Sequence, residues 1–449
     1  MSNALKWIWL SEKCGQGSSE VLTLVEKFAS IDEIYDADYD KYSELGISEH
    51  LAETLCDKAL DNAQKIINYC QSAGVGLLTY DGYDYPTSLR SLKNPPVVLY
   101  YMGTLPNFNR SLCISIVGTR KMSEYGMRAA YKISYEVASA GAIVVSGMAL
   151  GIDGIASCAA IAAKGKTIAV LGCGIDVVYP KEHEKLESII KQNGAVITEY
   201  PPSTEPRGSN FPMRNRIISG LSQGTVVVDA DKGSGALITA KNAILQGKDI
   251  YAVPANIDAD NSSGTNMLIR DGAQAVMCGN DIIRNYMFIY RDRLDVQKMI
   301  SAEAHSEFDG NVVKSMGVAV RVYTPTAQKQ GGFESLHKAE GRKRSPYARK
   351  ESKRTEPAKA NNEDKTDQIK HHEAPPSPQK SSGDDSAKVL EKLTEKQRRV
   401  FDEMPLDRAV TVDYLTKTGF TLGEVISALT VLEIKGLVSS LPGALYIRR

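Results

Sequence analysis

Cysteine pairs, histidine clusters, long apolar runs and an excess of either charge are missing from this sequence. Each absence closes a class of function. The 449 residues hold seven cysteines: Cys14, Cys56, Cys70, Cys113, Cys158, Cys173 and Cys278. Their number is odd, their spacing irregular, and no two form a C-x-x-C. That argues against a zinc ribbon or a disulfide scaffold and suits a reducing cytoplasm. Of the six histidines only His183 falls between residues 110 and 286, so a metal cage or a Ser-His-Asp triad is hard to assemble there. No catalytic residue, metal or cofactor is expected. No stretch approaches about 18 uninterrupted apolar residues, and no basic n-region precedes a long apolar one. The sequence therefore predicts a cytoplasmic protein without membrane span or signal peptide. The formal net charge is zero, so any electrostatic footprint for nucleic acid must be a local patch. Residues 1–90 carry 7 basic and 15 acidic residues, and residues 110–285 carry 18 and 16, which puts such a patch in the second stretch.

What is present is a repeated pattern of strand, glycine turn and helix. The apolar run at 113–117, CISIV, stops at Gly118-Thr119-Arg120 and is followed by a helical pattern over 123–140. Residues 142–145 end in Ser146-Gly147, residues 167–171 in Gly172-Cys173-Gly174, and residues 225–230 lead to Gly233-Ser234-Gly235. Further strands are predicted at 195–198, 249–253 and 275–277. Such alternation predicts an α/β fold, a doubly wound Rossmann-like parallel sheet covered on both faces. Ligands of such sheets bind outside the carboxyl ends of the strands. Small residues there let backbone N–H groups approach a ligand closely, and Arg120 adds a fixed cation. The pattern describes a crevice for something anionic.

Four domains are predicted. Residues 1–73 form a helical module, with Leu45-Gly46-Ile47 ahead of Ser48 resembling the turn of a helix-hairpin-helix; one long helix is expected over 49–73. Residues 74–290 form the α/β core. Residues 291–387 form a disordered linker, poor in large apolar side chains over 325–386. Within it residues 337–354 carry eight basic and two acidic residues, either a solvated tether or an extra phosphate contact. Residues 388–449 regain helical periodicity, with Val425, Ile426, Leu429 and Leu432 on one face and two short strands around Pro442-Gly443, the plan of a winged helix. Glu424 and Glu433 leave Lys435 nearly alone as a cation on the third helix, which weakens a major-groove reading.

Several enzyme motifs fail. A dinucleotide fingerprint needs G-x-G-x-x-G after the first strand; Gly118-Thr119-Arg120 does not supply it. Gly165-Lys166-Thr167 precedes a strand instead of following one, so it is not a P-loop. Asp153 and Asp176 lie just past strand ends, where they act as acid or base or, more simply, hold loop amides.

The core resembles the DprA/Smf family of DNA-processing proteins. The matching segments are VGTR at 117–120 with YG at 125–126, SGMALGID at 146–153, GCGIDVVYPK at 172–181, FPMRNRIISG at 211–220, SGALITA at 234–240 and SGTN at 263–266. Two positions depart from the family's pattern, Ser157 for a histidine and Ala255 for a glycine. The resemblance implies single-stranded DNA binding and loading of a RecA-type recombinase during natural transformation, with no bond-breaking. It places the family's DNA-contacting cations on Arg120 and Lys181. It also implies a homodimer through the end of the core, with Met267, Leu268 and Ile269 as the interface.

Read physically, Arg120 and Lys181 are the expected phosphate ligands, since a guanidinium fork matches a phosphate and such contacts carry no sequence information. Arg214-Asn215-Arg216 opens a predicted helix, either to bind an anion there or to pin loops through carbonyls. Gly118, Ser146, Gly147, Gly172, Gly174, Ser234 and Gly235 complete the expected DNA-binding set, chiefly as shape-makers. The rival reading is a nucleotide-binding or nucleotide-cleaving Rossmann-like enzyme or sensor. A transcription factor would rest on the winged helix alone.

Overall fold

The computed structural model describes residues 2–259 and 263–323, then 393–405, 410–416, 418–421, 424–425, 428–429, 431–432, 437–441 and 445–448. The chain divides into two compact units, Met1–Ala339 and Glu340–Arg449. Six helices lead the first unit: α1 (Ser2–Cys14), α2 (Glu20–Lys27), α3 (Ile31–Asp36), α4 (Tyr39–Glu44), α5 (Glu49–Cys56) and α6 (Asp61–Ala73). Trp7, Ile8, Trp9 and Leu10 are all buried on α1, so this helix runs through the middle of the module. The single helix expected over 49–73 is broken at Asp57. Trp9 Nε1 donates to the Asp57 carbonyl at 2.8 Å, and the Asp57 carboxylate accepts from Ala59 N at 3.1 Å. That local turn competes with the helical ladder. Gly74 then ends α6 in the left-handed region at φ +66°, the conformation that suits glycine.

The core is a nine-stranded sheet of β1 (Gly76–Thr79), β2 (Val98–Gly103), β3 (Cys113–Val117), β4 (Ile143–Ser146), β5 (Thr167–Val170), β6 (Gly194–Thr198), β7 (Gly224–Val227), β8 (Asp249–Ala252) and β9 (Gln274–Ala275). Their spatial order is β1-β2-β6-β5-β4-β3-β7-β8-β9. Pairing is parallel from β6 across to β9, and β1 and β2 add an antiparallel edge. All five β3 residues are buried, and alternate side chains join opposite cores. Ile114 and Ile116 pack with Val144, Ala169, Val196 and Val226. Cys113 and Val117 pack with Val145, Ile168, Ile197 and Val227. This is the period-two signature of a strand covered on both sides.

The first face is covered by α8 (Glu124–Ser139), α9 (Ile152–Ala162) and α10 (Glu184–Asn193), and the second by the short α7 (Thr87–Arg90), α11 (Asn210–Leu221) and α12 (Gly235–Leu245). From β3 the chain winds outward through β4, β5 and β6, then returns to β7 on the other side of β3. The winding therefore reverses between β3 and β7, and a crevice opens at that point beyond the strand ends.

The core does not end at residue 290, and the expected linker boundary is corrected. After α13 (Ser263–Arg270) and α14 (Asn280–Ile283), the chain forms α15 (Val296–Glu303) and α16 (Gly310–Ser315). Met299, Ala302, Val313 and Val318 are buried. Ser306 Oγ donates at 2.9 Å to the buried carboxylate of Glu136 on α8. The remainder of the expected linker, with its basic run at 337–354, lies outside the described residues.

In the second unit, α17 (Glu395–Asp402) opens with a capping box between Thr394 and Gln397. β10 (Val410–Thr411), α18 (Val412–Thr416), β11 (Val438–Leu441) and β12 (Leu445–Arg448) follow, and the strands pair in the order β10-β12-β11. Between α18 and β11 the described residues Glu424, Val425, Ala428, Leu429, Val431 and Leu432 are helical. Val425, Leu429 and Leu432 are buried with Val400, Phe401 and Leu415. Ile426, Glu433 and Lys435 lie outside the described residues. Helices closed by a small antiparallel sheet are the winged-helix plan.

Candidate functional site

The crevice between β3 and β7 has a volume of about 560 Å³. Its floor is set by close packing at Gly118, where a Cβ would fall 2.5 Å from Ile152 Cγ1. Thr119 N donates to the Asp229 carbonyl at 2.7 Å, and Ile152 N donates to the Thr119 carbonyl at 3.2 Å. The turn after β3 is thus tied to both β7 and α9. It delivers Arg120 to the surface, where its guanidinium lies 5.5 Å from the centre of the Phe211 ring. Among the described residues no carboxylate forms an ion pair with Arg120. Tyr179, before the turn that carries Lys181, lies 5.3 Å from Phe211, ring centre to ring centre.

The opposite wall is the start of α12. Ser234 caps that helix, its Oγ accepting from Ala236 N at 3.3 Å. Nothing lies within 4 Å of where a Gly235 Cβ would be, so the helix start is open to the crevice at Gly235, while Leu237 N is bonded to the Ser234 carbonyl at 3.1 Å; the positive end of the helix favours an anion there. Asn215 also lines the crevice, as do Asp231, Thr239 and Ile238.

The Arg-Asn-Arg triplet does not open its helix. It occupies the second turn of α11 and its members part ways. Arg214 is buried and donates through Nη1 to the carbonyls of Gly147, at 2.8 Å, and Val170. It shares the space above Gly147 with buried Asp153, since a Gly147 Cβ would be 2.7 Å from both Arg214 Nη2 and Asp153 Oδ2. Burial pushes the Asp153 carboxyl above its ordinary value, and neighbouring Arg214 opposes that rise. Burial likewise lowers Arg214, against the pull of Asp153.

Arg216 is corrected as a DNA contact. Its guanidinium makes a bidentate pair with Glu199, 2.6 Å on each arm, and its Nε donates to the Asn94 carbonyl at 3.0 Å. Both side chains are buried, so the fork is turned into the protein and away from a ligand. Two of the expected shape-makers spend polar groups on the protein itself. Ser146 donates its buried hydroxyl to the Ile116 carbonyl at 2.7 Å. Gly174 donates its N–H to the Thr204 carbonyl at 2.8 Å, outside the crevice. Gly172 reaches only a small adjoining hollow, against the Phe211 ring. Asp176 holds loop groups, accepting from Ser203 N at 2.7 Å.

Lys181 begins a single 3-10 turn, Lys181–His183, and is exposed beside the crevice instead of lining it. Met267, Leu268 and Ile269 are half-buried on α13, with Leu268 packed against the second core. Phe211 and Tyr179 were not singled out by sequence reasoning. Both stand inside quoted motifs, Phe211 three residues before Arg214 and Tyr179 two before Lys181, and an aromatic that close to a cation was the available signal. Among the described residues no group of three His, Cys, Asp or Glu side chains could hold a metal ion, and no helix is long and apolar enough to cross a membrane.

Fold and crevice together define a doubly wound α/β protein with an arginine-bearing crevice at its switch point, followed by a winged helix. The family described as DNA recombination-mediator protein A matches residues 76–287, and the DprA winged helix domain matches residues 373–444. The DNA processing protein DprA of Bacillus subtilis (strain 168) is 37% identical over 218 residues, covering 49% of this chain and 73% of the relative. Protein Smf of Synechocystis sp. (strain ATCC 27184 / PCC 6803 / Kazusa) is 30% identical over 460 residues, the whole of both chains. The X-ray structure of DprA from Streptococcus pneumoniae superposes with a TM-score of 0.56 at 30% identity, over 62% of this chain and 97% of that one. The chain belongs to the DprA/Smf family of DNA-processing proteins.

Proposed function

We propose that the crevice binds single-stranded DNA without sequence preference, and that the protein presents the bound strand to a RecA-type recombinase during DNA uptake, breaking no bond itself. The observation that carries this reading is Arg120: an exposed guanidinium with no paired carboxylate among the described residues, at the winding reversal, over an aromatic ring and facing an open helix start. A cation with backbone N–H groups suits a phosphodiester, and rings beside it offer a face to an unpaired base. A homodimer through Met267, Leu268 and Ile269 would put two crevices on one particle and raise affinity for long strands through effective concentration. The family description, a recombination mediator, agrees with this role.

The test is salt-dependent binding of oligo-dT compared with mononucleotides. Arg120→Ala and Lys181→Ala should each weaken binding to any sequence and lower the salt slope by roughly 0.7 per lost contact. Equal affinity in a folded double variant removes the site assignment. A nucleotide-cleaving enzyme is favoured by one observation, buried Asp153 with its raised carboxyl at the crevice wall. Cleavage of DNA or nucleotide that is lost in Asp153→Asn would select that reading.

A further inference from the structure

After α16 the chain stays on the core. Val318 packs over Gly154 at the first turn of α9, where the His183 ring also approaches. Residues Arg321 to Tyr323 then run beside Met122. Met122 N donates to the Arg321 carbonyl at 3.2 Å, Tyr323 N donates to the Met122 carbonyl at 2.8 Å, and Val322 and Met122 form a parallel bridge. The Arg321 guanidinium reaches across to Glu182, Nη2 to Oε1 at 2.9 Å, with both side chains about half exposed. This short segment, Arg321 to Tyr323, is a strap that touches both cationic loops, two residues from Arg120 on one side and one residue from Lys181 on the other.

We infer that Arg321 is a further phosphate ligand, which extends the strand's path out of the crevice past Lys181. The inference rests on the reading of the crevice as a single-strand site. An exposed ion pair is weak and exchanges readily with water or another anion. A phosphodiester offers the same guanidinium a charge-assisted, bidentate acceptor. The strap does not need the pair for its own anchorage, since buried Val318 and two backbone hydrogen bonds to Met122 already hold it. Glu182 acts as a resident counter-ion that keeps Arg321 extended along this edge until a phosphate replaces it.

The experiment measures anisotropy of labelled oligo-dT with the full chain over a salt series. Arg321→Ala lowers the salt slope by about 0.7, so its affinity deficit is roughly 2.6-fold larger at 50 mM than at 200 mM salt. Arg321→Lys keeps the slope. Glu182→Gln tightens binding, because the competing anion is gone and Arg321 remains. An Arg321→Ala slope equal to the wild type overturns the inference. So does a Glu182→Gln variant as weak as Arg321→Ala, the mark of a purely structural pin. Arg120→Ala, measured alongside, separates the two readings. A reduced slope there with none at Arg321 rejects the strap ligand alone, whereas a wild type without salt-dependent binding rejects the crevice reading itself.

Discussion

Arg216→Met is the most demanding test of how the arginines divide their labour. The wild-type guanidinium meets Glu199 at 2.6 Å on both arms, and the two side chains are 5% and 3% exposed. Methionine fills much of the volume but leaves the Glu199 carboxylate in the interior without its cation, and the Asn94 carbonyl without its donor. Breaking a buried pair from one side costs about 3–5 kcal/mol, chiefly through the charge left behind. Removing both charges costs far less, so Arg216→Met combined with Glu199→Leu should recover most of the loss. Urea unfolding reads this out through tryptophan fluorescence, because the two tryptophans, Trp7 and Trp9, are buried in the first core. The variant's midpoint falls steeply and the double variant's returns toward wild type. Under conditions where Arg216→Met remains folded, its DNA salt slope equals the wild type's, because Arg216 faces Glu199 and not the crevice. A single variant within 1 kcal/mol of wild type refutes the buried-pair reasoning. A lowered salt slope in the folded variant refutes the exclusion of Arg216 from the site.

Truncation tests the corrected boundary: a chain ending at residue 323 folds and keeps most single-strand binding. One ending at 290 uncovers the face covered by Met299, Val313 and Val318 and loses about 3 kcal/mol or more, seen as a lower urea midpoint; equal midpoints would return residues 291–323 to the linker. Burial lowers the His183 pKa below its ordinary value, so the unfolded chain takes up a proton that the folded one resists. Stability is full above about pH 6.5 and declines below it, down to the folded pKa; a His183→Gln midpoint with the same pH dependence would sink this account. Ile269→Glu should shift a sedimenting dimer toward monomer and weaken binding to long strands only, and a wild type that sediments as monomer at micromolar concentration removes the assembly claim.

The strands were legible because their side chains announce both of their faces. CISIV at 113–117 has no polar side that needs water, and Ser115 settles its hydroxyl against Thr225 Oγ1 at 2.7 Å. The glycines at the strand ends were legible too, and Gly118 and Gly147 show why: protein atoms occupy the space a side chain would need. Residues 291–323 were not legible as part of the core. Their two helices are short and mostly exposed, and the few inward side chains, Met299, Ala302, Val313 and Val318, are too widely spaced to set up a period. Arg214 and Arg216 could not be told apart in sequence. Two residues apart on a helix they point to different sides, and only the fold says that one meets two carbonyls and the other a carboxylate.

The strap has a mechanical consequence. Met122 and Val322 are joined near the last described residues of the first unit, downstream of α15 and α16. A pull on the chain from its C-terminal side therefore loads that pairing before it reaches either helix. Among the described residues, the bonds that carry this load first are two backbone hydrogen bonds two residues from Arg120, ahead of the buried contacts of Met299 and Val313. Force on the chain after Tyr323 would, among the described residues, be felt first beside the turn that carries Arg120.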